Sequence, residues 1–124
     1  MISDAAWEGD EKAVSLMLAL GFDPRTPGND SGTALHCAAW QGYPGTVRTL
    51  LEHCHASEML AIRDAHYGAT PLGWCCHGSL YGNTARDHAA VARLLLEAGA
   101  HLGAETDEAS PPVEAVLASW RRRK

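Results

Sequence analysis

Ala5-Ala6-Trp7-Glu8-Gly9 recurs 33 residues later as Ala38-Ala39-Trp40-Gln41-Gly42. The apolar positions that follow recur at the same shift, so that Val14, Met17 and Leu18 return as Val47, Leu50 and Leu51. A period of this length marks stacked helix pairs, each too small to bury its own apolar face and each covered by its neighbours. A third copy lies downstream. Gly68-Ala69-Thr70-Pro71-Leu72 echoes Gly32-Thr33-Ala34-Leu35-His36, and Ala92, Leu95, Leu96 and Glu97 echo Val47, Leu50, Leu51 and Glu52.

Within each copy the apolar residues follow i, i+3, i+4 spacing, which lays one stripe per helix against the adjoining repeat. Small residues at 5, 6, 38 and 39 allow the first helices to approach closely. Gly9, Gly42 and either Gly78 or Gly82 are expected to end those helices by adopting positive φ. The spacing predicts helices over 3–9 and 12–20, 34–41 and 44–53, and 71–77 and 86–98. Ser110-Pro111-Pro112 then opens one more helix, with a capping serine and prolines suited to a first turn. The result is one all-α domain over 1–124, with repeats at 1–31, 32–67 and 68–109 and a C-terminal cap helix at 110–124.

Two departures from the period stand out. Gly32 and Gly68 are separated by 36 residues, which places about three extra residues in 54–61, expected as an added helical turn. Repeat three carries about eight extra residues near 79–87, expected as a long surface connector, and insertions of this kind often lie on a binding face.

Composition narrows the function. A net charge of −5 and a pI near 5.7 argue against a general nucleic-acid binder, which needs a basic face to displace counterions from phosphates. The basic run Arg121-Arg122-Arg123-Lys124 reads as a solvated tail complementing the negative end of a last helix. No stretch approaches the ~18 apolar residues of a membrane span, and Met1-Ile2-Ser3-Asp4 does not begin a signal peptide. Four cysteines in such a chain are expected as reduced thiols in the cytoplasm.

Thr33-Ala34-Leu35-His36-Cys37-Ala38-Ala39, Thr70-Pro71-Leu72-Gly73-Trp74-Cys75-Cys76 and Leu95-Leu96-Glu97-Ala98-Gly99-Ala100 resemble the ankyrin repeat, whose signature is Thr-Pro-Leu-His, two alanines, a glycine and a closing Leu-Leu before Gly-Ala. The resemblance covers essentially the whole chain. Two positions depart from it: Ala34 replaces proline, and Gly73 replaces the histidine that ties the family's turn by hydrogen bonds. The chain begins inside one repeat and ends inside another, as expected either of unusual end caps or of a segment of a longer array. The resemblance implies a solenoid of antiparallel helix pairs with projecting turns, a concave groove that receives a partner protein or peptide, and no catalysis. A monomer without nucleic-acid or membrane partners is expected. The alternative is a structural segment whose groove has no dedicated ligand.

Carried over position by position, the resemblance puts Trp7, Glu8, Trp40, Gln41 and His77 on the groove and Asn29, Asp30, His66 and Tyr67 on the turn tips, with Tyr81 in the repeat-three insertion. Tryptophan and tyrosine dominate interface energetics because they bury much area at little entropic cost. Glu8 and Asp30 offer complementarity to a basic partner segment, against the competing reading of scattered surface carboxylates with no specific role. The competing structural reading has Trp7 and Trp40 packed between repeats as framework. His36, Cys37, His53, Cys54, His55, Cys75, Cys76, His77 and His88 raise the question of metal, but the paired spacing of a structural zinc site is missing. Cys75 and Cys76 align with Ala38 and Ala39 and read as small buried hydrophobes. No cofactor and no metal are expected. No motif holds a nucleophile beside an oriented base either, so no enzyme activity is expected.

Overall fold

The structure, a computed structural model, describes residues 1–28, 30–103 and 108–123. Its elements are α1 (Ile2–Trp7), α2 (Glu11–Ala19), α3 (Ala34–Gln41), α4 (Pro44–His53), α5 (Ala56–Ala61), α6 (Pro71–Tyr81), α7 (His88–Glu97) and α8 (Pro111–Arg122), with no strand among the described residues. The helices form an inner row of α1, α3 and α6 and an outer row of α2, α4 and α7, and α8 packs on α7 as a half repeat. This is the solenoid of stacked helix pairs that the period implies.

Local chemistry explains where the helices begin and end. Thr33 and Thr70 cap α3 and α6, their hydroxyls accepting from the backbone N–H groups of His36 and Gly73. Asp10 and Asp87 cap α2 and α7 in the same way, through Ala13 and Ala90. Gly9 and Gly42 follow α1 and α3 with φ of +72° and +77°, the left-handed geometry the sequence predicts for them. The core runs through the interfaces between repeats: Val14, Leu35, Ala38, Ala39, Val47, Leu72, Cys75, Cys76, Val91, Ala92, Leu95 and Leu117 are all buried. Cys75 and Cys76 occupy the two small-residue positions held by Ala38 and Ala39 in the previous repeat.

Two boundaries differ from the sequence reading. Equivalent caps sit at Thr33 and Thr70, so the register between repeats two and three is Gly32 with Ala69 rather than Gly32 with Gly68, and the inserted turn before repeat three is four residues long. It forms α5, as an added helical turn, with Met59 and Leu60 buried. The first helix of repeat three does not stop at 77; it continues to Tyr81, and Gly82 closes it at φ −93° rather than a positive angle. Gly78 is therefore an interior helix residue. A Cβ there would overlap the carbonyl oxygen of Trp40, so its lack of a side chain is what lets α6 lie close against the end of α3.

The rest of the insertion is a short loop that folds back on repeat two. His88 is buried, and its Nε2 donates to the Trp40 carbonyl at 2.8 Å. Arg86 donates to the Gln41 carbonyl at 3.4 Å and places its guanidinium 4.3 Å from the centre of the Tyr43 ring. The segment read as a connector is a clamp on the C-terminal end of α3.

Candidate functional site

The inner row of helices and the turn tips enclose a groove of about 460 Å³ lined by Trp7, Asp30, Trp40, His66, Tyr67, Ala69, Gly73, Trp74, His77 and Tyr81. Its position follows from the repeat. Trp7, Trp40 and His77 come one repeat apart from the same position near the ends of α1, α3 and α6, and Asp30, His66 and Tyr67 come from the turns that precede α3 and α6.

Trp74 forms the floor. It stands where Cys37 stands in repeat two, and it is buried. Room for the indole comes from Gly32, where a Cβ would lie 2.6 Å from Trp74 Cη2. The ring packs edge-on to His36 at 5.1 Å and to Trp40 at 6.1 Å, with the two indole planes 76° apart. Gly73, which stands where the family has histidine, lines the groove beside it.

Beneath this floor Asp64 organises the turn. It is 3% exposed and accepts four hydrogen bonds: at Oδ1 from Trp74 Nε1 and Ala69 N, both 2.9 Å, and at Oδ2 from Tyr67 N at 2.7 Å and Ser31 Oγ at 3.3 Å. Burial opposes its ionisation, but the Trp74 indole N–H and the backbone N–H groups of Tyr67 and Ala69 outweigh burial and hold its pKa below the ordinary carboxylate value. Ser31 reaches across repeats. Its Oγ accepts from Ala65 N at 3.0 Å and His66 N at 3.2 Å, and its own backbone sits at φ +65°.

His36 completes the network. Its Nδ1 accepts the Thr33 N–H at 3.2 Å, which leaves the proton on Nε2 to be donated to the Ala69 carbonyl at 2.9 Å. Burial depresses its pKa, against the opposing effects of that carbonyl and of Asp64, so the imidazole is neutral here.

The sequence-derived positions fall into three groups. Trp7, Asp30, Trp40, His66, Tyr67, His77 and Tyr81 come together on the groove. Tyr67 and Tyr81 are 81% and 68% exposed on its rim, and Tyr81 packs edge-on to His77 at 6.4 Å. Trp7 serves both readings, since it lines the groove and also packs on the core cluster. Glu8 and Gln41 do not line it: Glu8 is solvent-exposed, and Gln41 spends its side chain on the Trp7 carbonyl at 3.1 Å. Asn29 lies outside the described residues. Sequence reasoning missed Trp74 and Asp64. The signals for them are the glycine at 32 that makes room for an indole, and an acid placed five residues before a backbone N–H from which it accepts.

The remaining chemistry is quiet. Cys37 is pushed up to about 12 by burial, reinforced by the charges of Asp30 and Asp4, and burial raises Cys75 as well. Neither supplies a thiolate at neutral pH. Among the described residues no three His, Cys, Asp or Glu side chains converge to hold a metal ion, and no helix is long and apolar enough to cross a membrane.

Comparison with known proteins agrees with this architecture. The crystal structure of the human ASB11 ankyrin repeat domain superimposes with a TM-score of 0.69 at 26% identity, over 95% of this chain. The chain spans about half of that domain, 53% of its length. No curated protein matches the sequence. The family pattern described as ankyrin repeats, three copies, matches residues 2–106. Ankyrin repeats are in general protein–protein interaction modules on a non-catalytic binding fold, and this chain belongs to the ankyrin repeat family.

Proposed function

We propose that this chain binds a segment of a partner protein in the groove between the inner helices and the turn tips. One observation carries the reading: three tryptophans and two exposed tyrosines from three repeats line a single concavity. Exposed aromatic rings cost hydration unless something covers them, and aromatic anchors are where binding free energy concentrates. Trp7, Trp40, Trp74, Tyr67 and Tyr81 are the contacts, with Asp30, His66 and His77 as polar rim. The partner is a protein or peptide, and the site performs no chemistry.

The test is capture of a partner by the intact chain and by a Tyr67→Ala, Tyr81→Ala variant. Both side chains are mostly in solvent and neither makes a hydrogen bond that holds the fold, so the variant should keep its circular dichroism spectrum. A partner retained by the parent and lost by the folded variant supports the groove. Equal capture by both refutes it.

A second reading, a segment that stacks within a longer array, draws on Leu16, Leu20 and Phe22, which are exposed on α2 and the turn after it. If that surface is made for stacking, the isolated chain self-associates, and Leu16→Glu with Leu20→Glu abolishes the association. A monomer at every concentration in analytical ultracentrifugation counts against it.

A further inference from the structure

We infer that the groove seats a cationic side chain, an arginine or lysine presented by the partner segment. The inference rests on the groove being the binding site and adds what it selects.

The first argument is the lining itself. Indole and phenol faces carry negative quadrupole potential and attract a guanidinium or ammonium, most strongly when the site is partly dehydrated. Trp40 meets the Trp74 floor edge-on, with the two indole planes 76° apart, and Tyr67, Tyr81 and Trp7 add further rings. Among the described residues no lysine or arginine lines this space. Arg63, the nearest cation in sequence to the turn, is not among the lining residues and donates to the Gly68 carbonyl at 2.7 Å. The walls also suit the long methylene stems of arginine and lysine, which bury along apolar surface while the head finds a polar partner.

The second argument is charge. Asp30 lines the groove and makes no ion pair with a described residue. Asp64 lies under the floor as a buried carboxylate whose hydrogen-bond partners are all neutral donors: an indole, two backbone amides and a hydroxyl. Its charge is solvated by the turn but not cancelled by it. Because Oδ1 accepts the Trp74 N–H, the carboxylate polarises that indole and makes its face a better seat for a cation. The chain as a whole carries −5, which draws basic segments toward it over distances beyond contact. An anionic or purely aliphatic ligand would leave both features unused.

Random peptides displayed on phage and selected on the immobilised full chain test this. The expected result is a shared arginine or lysine at one position. Replacing it by citrulline or norleucine, which keep the stem and remove the charge, should weaken binding by about tenfold. Asp30→Asn should weaken the cationic peptide and leave the neutral analogue unchanged. Peptides that lose binding to the Tyr67→Ala, Tyr81→Ala variant yet share no basic residue overturn the cation seat and leave the groove standing. Equal affinity of the citrulline or norleucine analogue does the same. Peptides that bind the double variant as tightly as the parent overturn the groove, and the cation seat with it.

Discussion

Replacing Asp64 by alanine removes the acceptor around which the turn before α6 is built. The carboxylate takes four hydrogen bonds, but their loss is not four equal terms. The backbone N–H groups of Tyr67 and Ala69 belong to residues that are exposed or half-buried, and water can replace the carboxylate there. The Trp74 N–H is different, since the indole is buried and would be left without a partner, at about 1–3 kcal/mol. Adding about 1 kcal/mol for the loosened turn gives roughly 3 kcal/mol, a large part of the about 5–15 kcal/mol that stabilises a domain. Asp64→Asn keeps an oxygen for Trp74 and Ala69 but turns an NH₂ toward the Tyr67 N–H, so it should cost about 1–2 kcal/mol. Urea denaturation followed by circular dichroism should lower the midpoint of Asp64→Ala by about 1–3 M, with Asp64→Asn between it and the parent. The pH dependence has a fixed sign. A carboxylate held below its unfolded value stabilises the fold above the ordinary carboxylate range, and that stability is lost as pH falls through the depressed native value. Asp64→Asn should therefore flatten the acid limb. An Asp64→Ala midpoint equal to the parent's refutes the reasoning, because it means the buried indole did not need its acceptor.

Three further outcomes follow from neighbouring contacts. His36 is neutral when folded and charges more readily when unfolded, so stability should drop as pH falls below about 6.5, and His36→Gln, compared at two pH values by urea midpoints, should remove that slope. Gly78→Ala should destabilise by about 1–3 kcal/mol despite alanine's better helix propensity, because its methyl group meets the Trp40 carbonyl; a thermal melt shows the sign, and a rise in Tm would contradict the close approach. Arg86→Ala should cost about 1 kcal/mol through the lost Tyr43 and Gln41 contacts, and chemical denaturation of an Arg86→Lys companion should recover part of it.

The stack was legible in sequence because it is written in repeats. Ala38-Ala39 and Cys75-Cys76 are two spellings of one requirement, small side chains where inner helices meet, and Thr33 and Thr70 are two copies of one cap. Tertiary contacts overrode local signals elsewhere. Of the two glycines that read as alternative helix stops, Gly82 is the one that closes α6, while Gly78 is an interior residue that the Trp40 carbonyl approaches too closely for a side chain. The insertion near 79–87 reads as a long surface connector of a kind often found on a binding face, but Arg86 and the adjoining His88 hold its end against repeat two. Much of the groove's membership could be anticipated by placing Trp7, Trp40, His77 and the turn tips on one face, since one repeat maps onto the next. Its floor could not. Trp74 occupies a position filled by cysteine in repeat two, and its indole lies against Gly32, where a Cβ would collide with it. Gln41 shows the converse: a position that faces the groove by analogy is drawn away by a carbonyl in the neighbouring helix.

The two inner helices α3 and α6 are fastened at both ends, at the turns by Ser31, Asp64 and Trp74 and at the far side by His88, Arg86 and the Gly78 contact. A pair pinned at both ends has no hinge. The amides of α3 and α6 should exchange with solvent only when both helices open together, and so share one level of protection, while α1, joined to α3 through the Gln41–Trp7 bond and packing, and α2, packed on α1 and α4, exchange sooner. For a groove that binds a segment as proposed, the walls are already in place, and the association rate should be set by encounter and orientation rather than by the wait for an open conformer.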